Sequence, residues 1–195
     1  MTKRMKRVTP LLLAAMMLAV TAIPALAIKP EERTTIVDVA MDLNSSGPFA
    51  GEFDLLIAAV LAADPAILET LSGNGQYTVF APIDAAFVNL LDMPEDEIDF
   101  TAMDQGSLTD VLLYHVAPGR RYSDDVLASD RIRTLYKGKY GFLGQSNAIL
   151  TDNLGQSAPI LLIDADNDGS IDTIDIEADN GIIHAIGAVV LPYAP

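Results

Sequence analysis

The fold is decided by the C-terminal stretch Asp179-Asn180-Gly181-Ile182-Ile183-His184-Ala185-Ile186-Gly187-Ala188-Val189-Val190-Leu191-Pro192. It opens on three turn-forming residues and continues as a nearly unbroken apolar run that ends at Pro192. A strand that is apolar at almost every position is buried on both faces, so the rest of the chain must cover it. We therefore predict that residues 180–192 form the closing core strand of the domain. We expect His184, inside this run, to be packed and hydrogen-bonded rather than reactive.

An acidic loop at residues 164–175 precedes this stretch. Its alternate side chains offer oxygen atoms at the spacing of a twelve-residue calcium loop, and Gly169 stands at the position of the sharp turn. The predicted calcium ligands are Asp164, Asp166, Asp168, Ser170, Asp172 and Asp175, with Ser170 acting through its backbone carbonyl. Asp175 is shorter than the bidentate Glu that usually fills the last position. We therefore expect weak calcium affinity, as in extracellular modules.

The flanks of the acidic loop are β-like, so we expect the loop to join two strands rather than two helices. An exposed acidic hairpin turn around Asp168-Gly169 is the alternative interpretation. Four aspartates within nine residues would repel one another in such a turn without a cation, which favours calcium.

The N-terminal 27 residues have the pattern of a secretory signal peptide. Four basic residues come first, an apolar segment follows at residues 11–20, and Ala25-Leu26-Ala27 supplies a cleavage pattern. A membrane anchor is the alternative, but the apolar run is shorter than the roughly 20 residues of a spanning helix. We predict cleavage near Ala27, a short lead-in at residues 28–33, and a secreted, extracellular or periplasmic protein without a membrane span.

The composition excludes several classes of function. The chain of 195 residues has a net charge of −15, which makes nucleic acid and anionic membrane unfavourable partners. It contains no cysteine, so a thiol nucleophile is excluded. After cleavage the length suits one domain with its own core.

The remaining chain divides into a helical first half and a β-rich second half. We expect Asp84 to cap the helix that follows it. Ser107 should open a capping box whose helix is stopped by Pro118-Gly119. The predicted elements are helices at residues 36–43, 53–61, 65–71, 84–91 and 107–117 and strands at 77–80, 131–136, 140–143 and 148–151. Together they predict an α+β fold.

Basic residues are concentrated between positions 120 and 139. Charged strand faces that discourage edge pairing would explain them. A basic patch for an acidic partner is the alternative. The residues are Arg120, Arg121, Arg131, Arg133, Lys137 and Lys139.

Three segments together resemble the fasciclin (FAS1) domain family. They are Tyr77-Thr78-Val79-Phe80-Ala81-Pro82-Ile83-Asp84-Ala85-Ala86-Phe87, Leu112-Leu113-Tyr114-His115-Val116 and Asp179-Asn180-Gly181-Ile182-Ile183-His184-Ala185-Ile186. Ile83 and Gly187 depart from the family pattern, which usually has Thr and commonly Asp there. The resemblance spans residues 34–192 and implies a β-sandwich wedge with several helices packed around it. It also implies an extracellular adhesion or matrix-interaction module.

Within that family the dipeptide matching Tyr114-His115 is associated with cell adhesion in some animal members. Here His115 shares a helical face with apolar residues, so a packed histidine bonded to a helix-end carbonyl is the simpler interpretation. Nothing in the sequence has the spacing of a hydrolase nucleophile elbow, and we predict that the protein is not an enzyme.

We therefore predict a secreted or periplasmic adhesion module that binds an extracellular protein or glycan, with calcium as its cofactor. The alternative is an exported protein that holds a small apolar ligand between its helices and its sheet. The sequence leaves the partner and the oligomeric state open.

Overall fold

A computed structural model describes residues 33–137, 149–152, 154–161 and 175–193 of the chain, and residues 140–142 by their backbone. The signal peptide predicted at residues 1–27 and most of the lead-in lie outside the described residues. Lys139 and the first five predicted calcium ligands also lie outside them. Among the described residues, no helix is long and apolar enough to cross a membrane.

The order of helices and strands confirms the predicted α+β class. The helices are α1 (Ile36–Ser45), α2 (Asp54–Ala62), α3 (Pro65–Leu71), α4 (Asp84–Leu91), α5 (Gln105–Tyr114) and α6 (Ser123–Ala128). Single 3-10 turns lie at Glu95–Glu97 and Phe100–Ala102. The strands are β1 (Tyr77–Pro82), β2 (Val116–Pro118), β3 (Ile132–Arg133), β4 (Tyr140–Phe142), β5 (Ile149–Thr151), β6 (Ser157–Pro159), β7 (Ile176–Ala178) and β8 (Gly181–Ile186).

The central sheet has the strand order β2-β1-β8-β7. β1 and β8 run parallel, with Val79 opposite Ile183, and the outer two strands are antiparallel to them. Two further pairs, β3-β4 and β5-β6, form separate two-stranded ladders. The two-sheet sandwich implied by the resemblance stays a prediction.

Apolar layers cover both faces of the central sheet. On one face Val79, Ala81, Ile183 and Ala185 join the core formed with the helices. On the other face Phe80 and Ile186 join a second core, which includes Tyr114, Val126 and Leu150. Because neighbouring residues of a strand point to opposite faces, a strand covered on both sides must be apolar throughout. This explains the sequence of β8.

The turn before β8 also anchors two helices. Asn180 is buried, and its side-chain oxygen accepts a hydrogen bond of 2.7 Å from the backbone N–H of Ile36 at the start of α1. Its amide nitrogen donates to the carbonyls of Leu71 and Gly73 at the end of α3, at 2.6 and 3.0 Å. A Cβ at Gly181 would overlap the carbonyl oxygen of Tyr77, so only glycine permits the approach of β8 to β1.

Two predicted caps are wrong. The carboxylate of Asp84 accepts hydrogen bonds from the backbone N–H groups of Asp54 and Leu55, so it caps α2 rather than its own helix. Asp104, not Ser107, caps α5 and accepts 2.7 Å from the N–H of Ser107. The carboxylate of Asp84 reaches Leu55 across 29 residues of sequence, so tertiary packing decides that contact. Asp104 caps α5 locally, from three residues before Ser107.

The structure also corrects two predicted bounds and adds one helix. α5 ends at Tyr114, because Val116–Pro118 pairs with β1 as a strand. α6 lies in the half predicted to be β-rich. β8 ends at Ile186, six residues before the predicted end at Pro192, because the chain beyond it makes no further ladder with β1 or β7.

Candidate functional site

His115 is buried at the end of α5 and uses both ring nitrogens within the fold. Nδ1 lies 2.8 Å from the carbonyl oxygen of Val111, and Nε2 accepts a hydrogen bond of 3.2 Å from the N–H of Val190. A carbonyl only accepts, so the proton is on Nδ1 and the ring is neutral. Burial lowers the pKa of His115 to about 4, although the bond to Val111 opposes the shift. The expected packed histidine with a helix carbonyl partner is thus observed.

Tyr114, the residue before His115, belongs to the second core, which it shares with Phe80 and Ile186. Its ring packs edge-on against Tyr136 with ring centroids 6.0 Å apart, and its hydroxyl lies 3.5 Å from Oδ2 of Asp152. Burial, and then the charge of Asp152, raise the pKa of Tyr114 to about 12. Tyr114 is 2% exposed and His115 is 3% exposed, so neither side chain presents a contact surface in the folded domain.

Asp175 is the one predicted calcium ligand among the described residues. Its Oδ1 accepts a hydrogen bond of 2.8 Å from the N–H of Ser123, and its Oδ2 accepts one of 2.9 Å from the hydroxyl of Ser123. Its Oδ1 also lies 3.4 Å from Nδ1 of His184. Both carboxylate oxygens therefore fasten the end of the acidic loop to the start of α6.

His184 is fully buried in β8, as predicted. Its Nε2 donates to the carbonyl oxygen of Arg121 at 3.0 Å, and its ring stacks on Phe80 with centroids 5.6 Å apart. The hydroxyl of Ser123 donates to Asp175 rather than to His184. Ser123, Asp175 and His184 are thus close together, but the serine is not hydrogen-bonded to the histidine as an activated nucleophile requires.

A second acidic group was missed in the sequence. Carboxylate oxygens of Asp54, Asp84 and Glu95 lie within 4.8 Å of one another, which by donor type suits a divalent cation. Asp84 is buried and already accepts two backbone hydrogen bonds, and Asp54 accepts 2.7 Å from the amide of Asn44. Burial raises the pKa of Asp84, and the charges of Glu95 and Asp54 add to the shift. These residues are far apart in sequence, so no spacing pattern could have revealed them.

Two of the basic residues between positions 120 and 139 pair with separate carboxylates. Arg120 forms an ion pair of 3.0 Å with Glu177 on β7. Lys137 lies 3.4 Å from the carboxylate of Asp110 and 4.5 Å above the ring of Tyr136. At these two positions the pairing favours the interpretation as charged, solvated surface over a patch for an acidic partner.

An apolar cavity of about 370 Å³ lies between α1, α2, α3 and the central sheet. Val79 and Ile183 contribute from the strands, and His115 contributes from the end of α5. The alternative drawn from the sequence, an apolar ligand held between helices and sheet, named no residue of it. A signal was present in α2, whose nine residues carry one charged side chain, too few for a helix that faces water on one side.

Comparison with family models matches residues 51–192 to the Fasciclin domain, which is more than half of the chain. The chain belongs to this family. The chain is 30% identical over 160 residues to Protein sll1483 from Synechocystis sp., covering 81% of this chain and 73% of that protein. It is 32% identical over 160 residues to Transforming growth factor-beta-induced protein ig-h3 from Sus scrofa, covering 82% of this chain and 20% of that protein.

The fold of this fasciclin domain is also found in a solved structure. A FAS1 domain pair from the insect cell adhesion molecule fasciclin I matches with a TM-score of 0.52 at 17% identity, over 74% of this chain and 47% of that chain. The family predicted from three short segments is thereby confirmed, and so is its fold.

Proposed function

We propose that this fasciclin domain is an exported adhesion or matrix-interaction module that binds an extracellular protein or glycan. The observation that carries the proposal is the match to the Fasciclin domain over residues 51–192. The similar solved structure comes from a cell adhesion molecule, which supports the same role. The signal-peptide pattern at residues 1–27 supports export, and mass spectrometry of the exported chain would test cleavage after Ala27.

An interaction module is favoured over a hydrolase by the placement of the polar groups. Both histidines are buried and hydrogen-bonded to backbone atoms. The hydroxyl and the backbone N–H of Ser123 both donate hydrogen bonds to the carboxylate of Asp175. These groups hold the fold and leave binding to the exposed surface.

Adhesion is tested by coating a surface with the purified exported chain and measuring retention of cells or matrix from the producing organism. We expect saturable retention that is abolished by the soluble chain as competitor. A coat of heat-unfolded chain at equal density is the control, since a charged surface alone would retain material on both. Equal retention on the two coats would contradict the proposal.

Tyr114 and His115 enter this proposal as supports of the binding surface rather than as contacts, because both are buried. Tyr114→Phe and His115→Gln should reduce retention only as far as they lower the melting temperature. A variant that keeps its melting temperature and loses retention would instead assign the dipeptide a direct contact.

We further propose that the acidic loop binds calcium weakly. The ligand spacing of Asp164, Asp166, Asp168, Ser170, Asp172 and Asp175 supports this. The contacts of Asp175 with Ser123 and His184 compete with a metal for the last position, which supports low affinity. Calorimetry should give a dissociation constant on the order of 0.1–1 mM for calcium.

Two variants separate the metal from the fold. Asp168→Asn should remove calcium binding and leave the melting temperature of the calcium-free chain unchanged. Asp175→Asn should lower that melting temperature. Absence of calcium binding at millimolar concentration in the unmodified chain would end the metal proposal, while the adhesion test would stand on its own.

A further inference from the structure

The cavity between the helices and the sheet is apolar over nearly its whole lining. Of the residues that line it, Ser72 and His115 alone have polar side chains. Ser72 is exposed at the end of α3, and both ring nitrogens of His115 are already engaged with Val111 and Val190. The interior of the cavity therefore offers hydrocarbon and little hydrogen bonding to an occupant.

The cavity opens to solvent at a rim formed by α1 and α2. Met41 on α1 is 56% exposed and Leu61 on α2 is 68% exposed, and both line the cavity. The floor is formed by buried strand residues, including Val79 and Ile183. A molecule that entered between the two exposed side chains would thus leave water and contact the core of the domain directly.

The three helices that border the cavity carry charges of one sign only. Helices α1, α2 and α3 contain Asp38, Asp42, Asp54 and Glu69 and no lysine or arginine. An anionic head group at the rim would meet repulsion from these four carboxylates. An anion inside the cavity would lose its hydration without compensating hydrogen bonds. Fatty-acid carboxylates and other anionic amphiphiles are therefore poor occupants.

We propose that this cavity is a binding site for an uncharged, hydrocarbon-rich small molecule. Its volume of about 370 Å³ falls within the roughly 300–1,000 Å³ of small-molecule sites. A peptide segment would bring unpaired backbone N–H and C=O groups against a lining that cannot satisfy them. This activity is separate from both proposals above, because adhesion is assigned to the exposed surface and calcium to the acidic loop, whereas this site lies between the helices and the sheet.

The first test compares two fluorescent probes that differ by one charge. N-phenyl-1-naphthylamine is neutral, and 1-anilinonaphthalene-8-sulfonate carries a sulfonate on a similar skeleton. Titration into the exported chain should show saturable binding of the neutral probe at one site, and affinity for the sulfonate at least about tenfold lower. Equal affinities, or no saturable binding of the neutral probe, would overturn the proposal.

A matched pair of variants places the probe. Ala40 on α1 lines the cavity and is partly buried, whereas Ala58 on α2 is exposed and does not line it. Ala40→Phe should fill part of the space and weaken the neutral probe at least about tenfold, and Ala58→Phe should leave its affinity unchanged. Equal binding by the two variants would contradict the assignment of the site.

Two further measurements keep the test decisive if Ala40→Phe does not fold. In the unmodified chain, the neutral probe should give nuclear Overhauser effects to the methyl groups of Val60, Leu68 and Val79, which line the cavity. Contacts to other methyl groups instead would overturn the proposal. Sedimentation should show that the probe leaves the mass of the assembly unchanged. A dimer that dissociates as the probe binds would show that a second copy of the chain occupies the cavity, and it would overturn the proposal.

Discussion

The two histidines of this chain lie in comparable sequence surroundings and are held in different ways. His115 closes a helix beside an apolar cavity, and two backbone groups engage its ring. His184 lies in the central strand β8, where Phe80, the carbonyl of Arg121 and the carboxylate of Asp175 surround it. The buried ring of His115, beside the cavity, thus has neutral hydrogen-bond partners. The buried ring of His184, where the acidic loop is anchored, also has a carboxylate beside it.

The difference separates the two proposed activities. The region of His115 has hydrocarbon around a neutral ring and suits an uncharged ligand. The region of His184 joins the start of α6 to the end of the acidic loop through Asp175. We therefore expect calcium binding in the loop to affect α6 and β8 more than it affects the cavity.

The largest expected effect comes from removing the carboxylate that anchors the loop. Asp175→Ala leaves the N–H and hydroxyl of Ser123 without their acceptor and removes the carboxylate beside His184, so the free energy of unfolding should fall by about 4 kcal/mol. Urea denaturation measures this. Asp130→Ala, an exposed carboxylate beyond α6, should change stability by less than about 0.5 kcal/mol. Similar losses in both variants would remove the anchoring role of Asp175.

The second effect is an acid destabilisation that originates at His115. Its pKa is about 4 in the folded chain and about 6.5 in the unfolded chain, so the unfolded chain binds the proton more tightly. The contribution of neutral His115 to the free energy of unfolding is fully present above pH 6.5. It is lost as the pH falls towards 4, and the total loss is up to about 3 kcal/mol. The contribution of His115 is measured by comparing the free energy of unfolding of the unmodified chain with that of His115→Gln at several pH values. The carboxylates are common to both chains, so their contribution cancels in the difference. Parallel pH profiles would show that His115 does not cause the acid destabilisation.

A smaller effect is expected at Tyr114, which lies beside His115 in sequence and on the opposite face of the sheet. Its hydroxyl is 3.5 Å from Asp152, so Tyr114→Phe should cost less than about 1 kcal/mol at pH 7. The pKa of Tyr114 is raised to about 12, so the unfolded chain releases the proton more readily and stability falls as the pH rises from 10 towards 12. Tyr114→Phe should flatten this alkaline loss, and the exposed Tyr122→Phe should retain it.

The smallest effect concerns calcium. With a dissociation constant near 1 mM, calcium at 1 mM should stabilise the folded chain by about 0.4 kcal/mol. Differential scanning calorimetry with calcium and with chelator should therefore show a small shift in melting temperature. Asp168→Asn should abolish the shift, and Asp96→Asn, an exposed acidic residue distant in sequence, should preserve it. A shift that survives Asp168→Asn would move calcium to another site.

Local signals in the sequence predicted much of the helical half. The N-cap Asp64 with Pro65 behind it starts α3 where expected, and its carboxylate accepts a hydrogen bond from the N–H of Ala66. The cap that Asp84 forms was not predictable, because its carboxylate binds the N–H of Leu55 in α2 across 29 residues of sequence. Short strands such as β2 and β6 also escaped prediction, because three-residue segments carry no periodicity of their own.

The sequence by itself determined the family, the α+β class and the burial of β8, because the three family segments, the helical spacing of the first half and the apolar run of β8 can be read along the chain. The tertiary structure alone decided which polar groups meet. It brought Asp175 to Ser123 and His184, it turned Tyr114 and His115 to opposite faces, and it opened the apolar cavity between three helices and the sheet. These contacts join residues far apart in the chain, and their geometry follows from how the helices pack on the sheet, which no spacing pattern encodes.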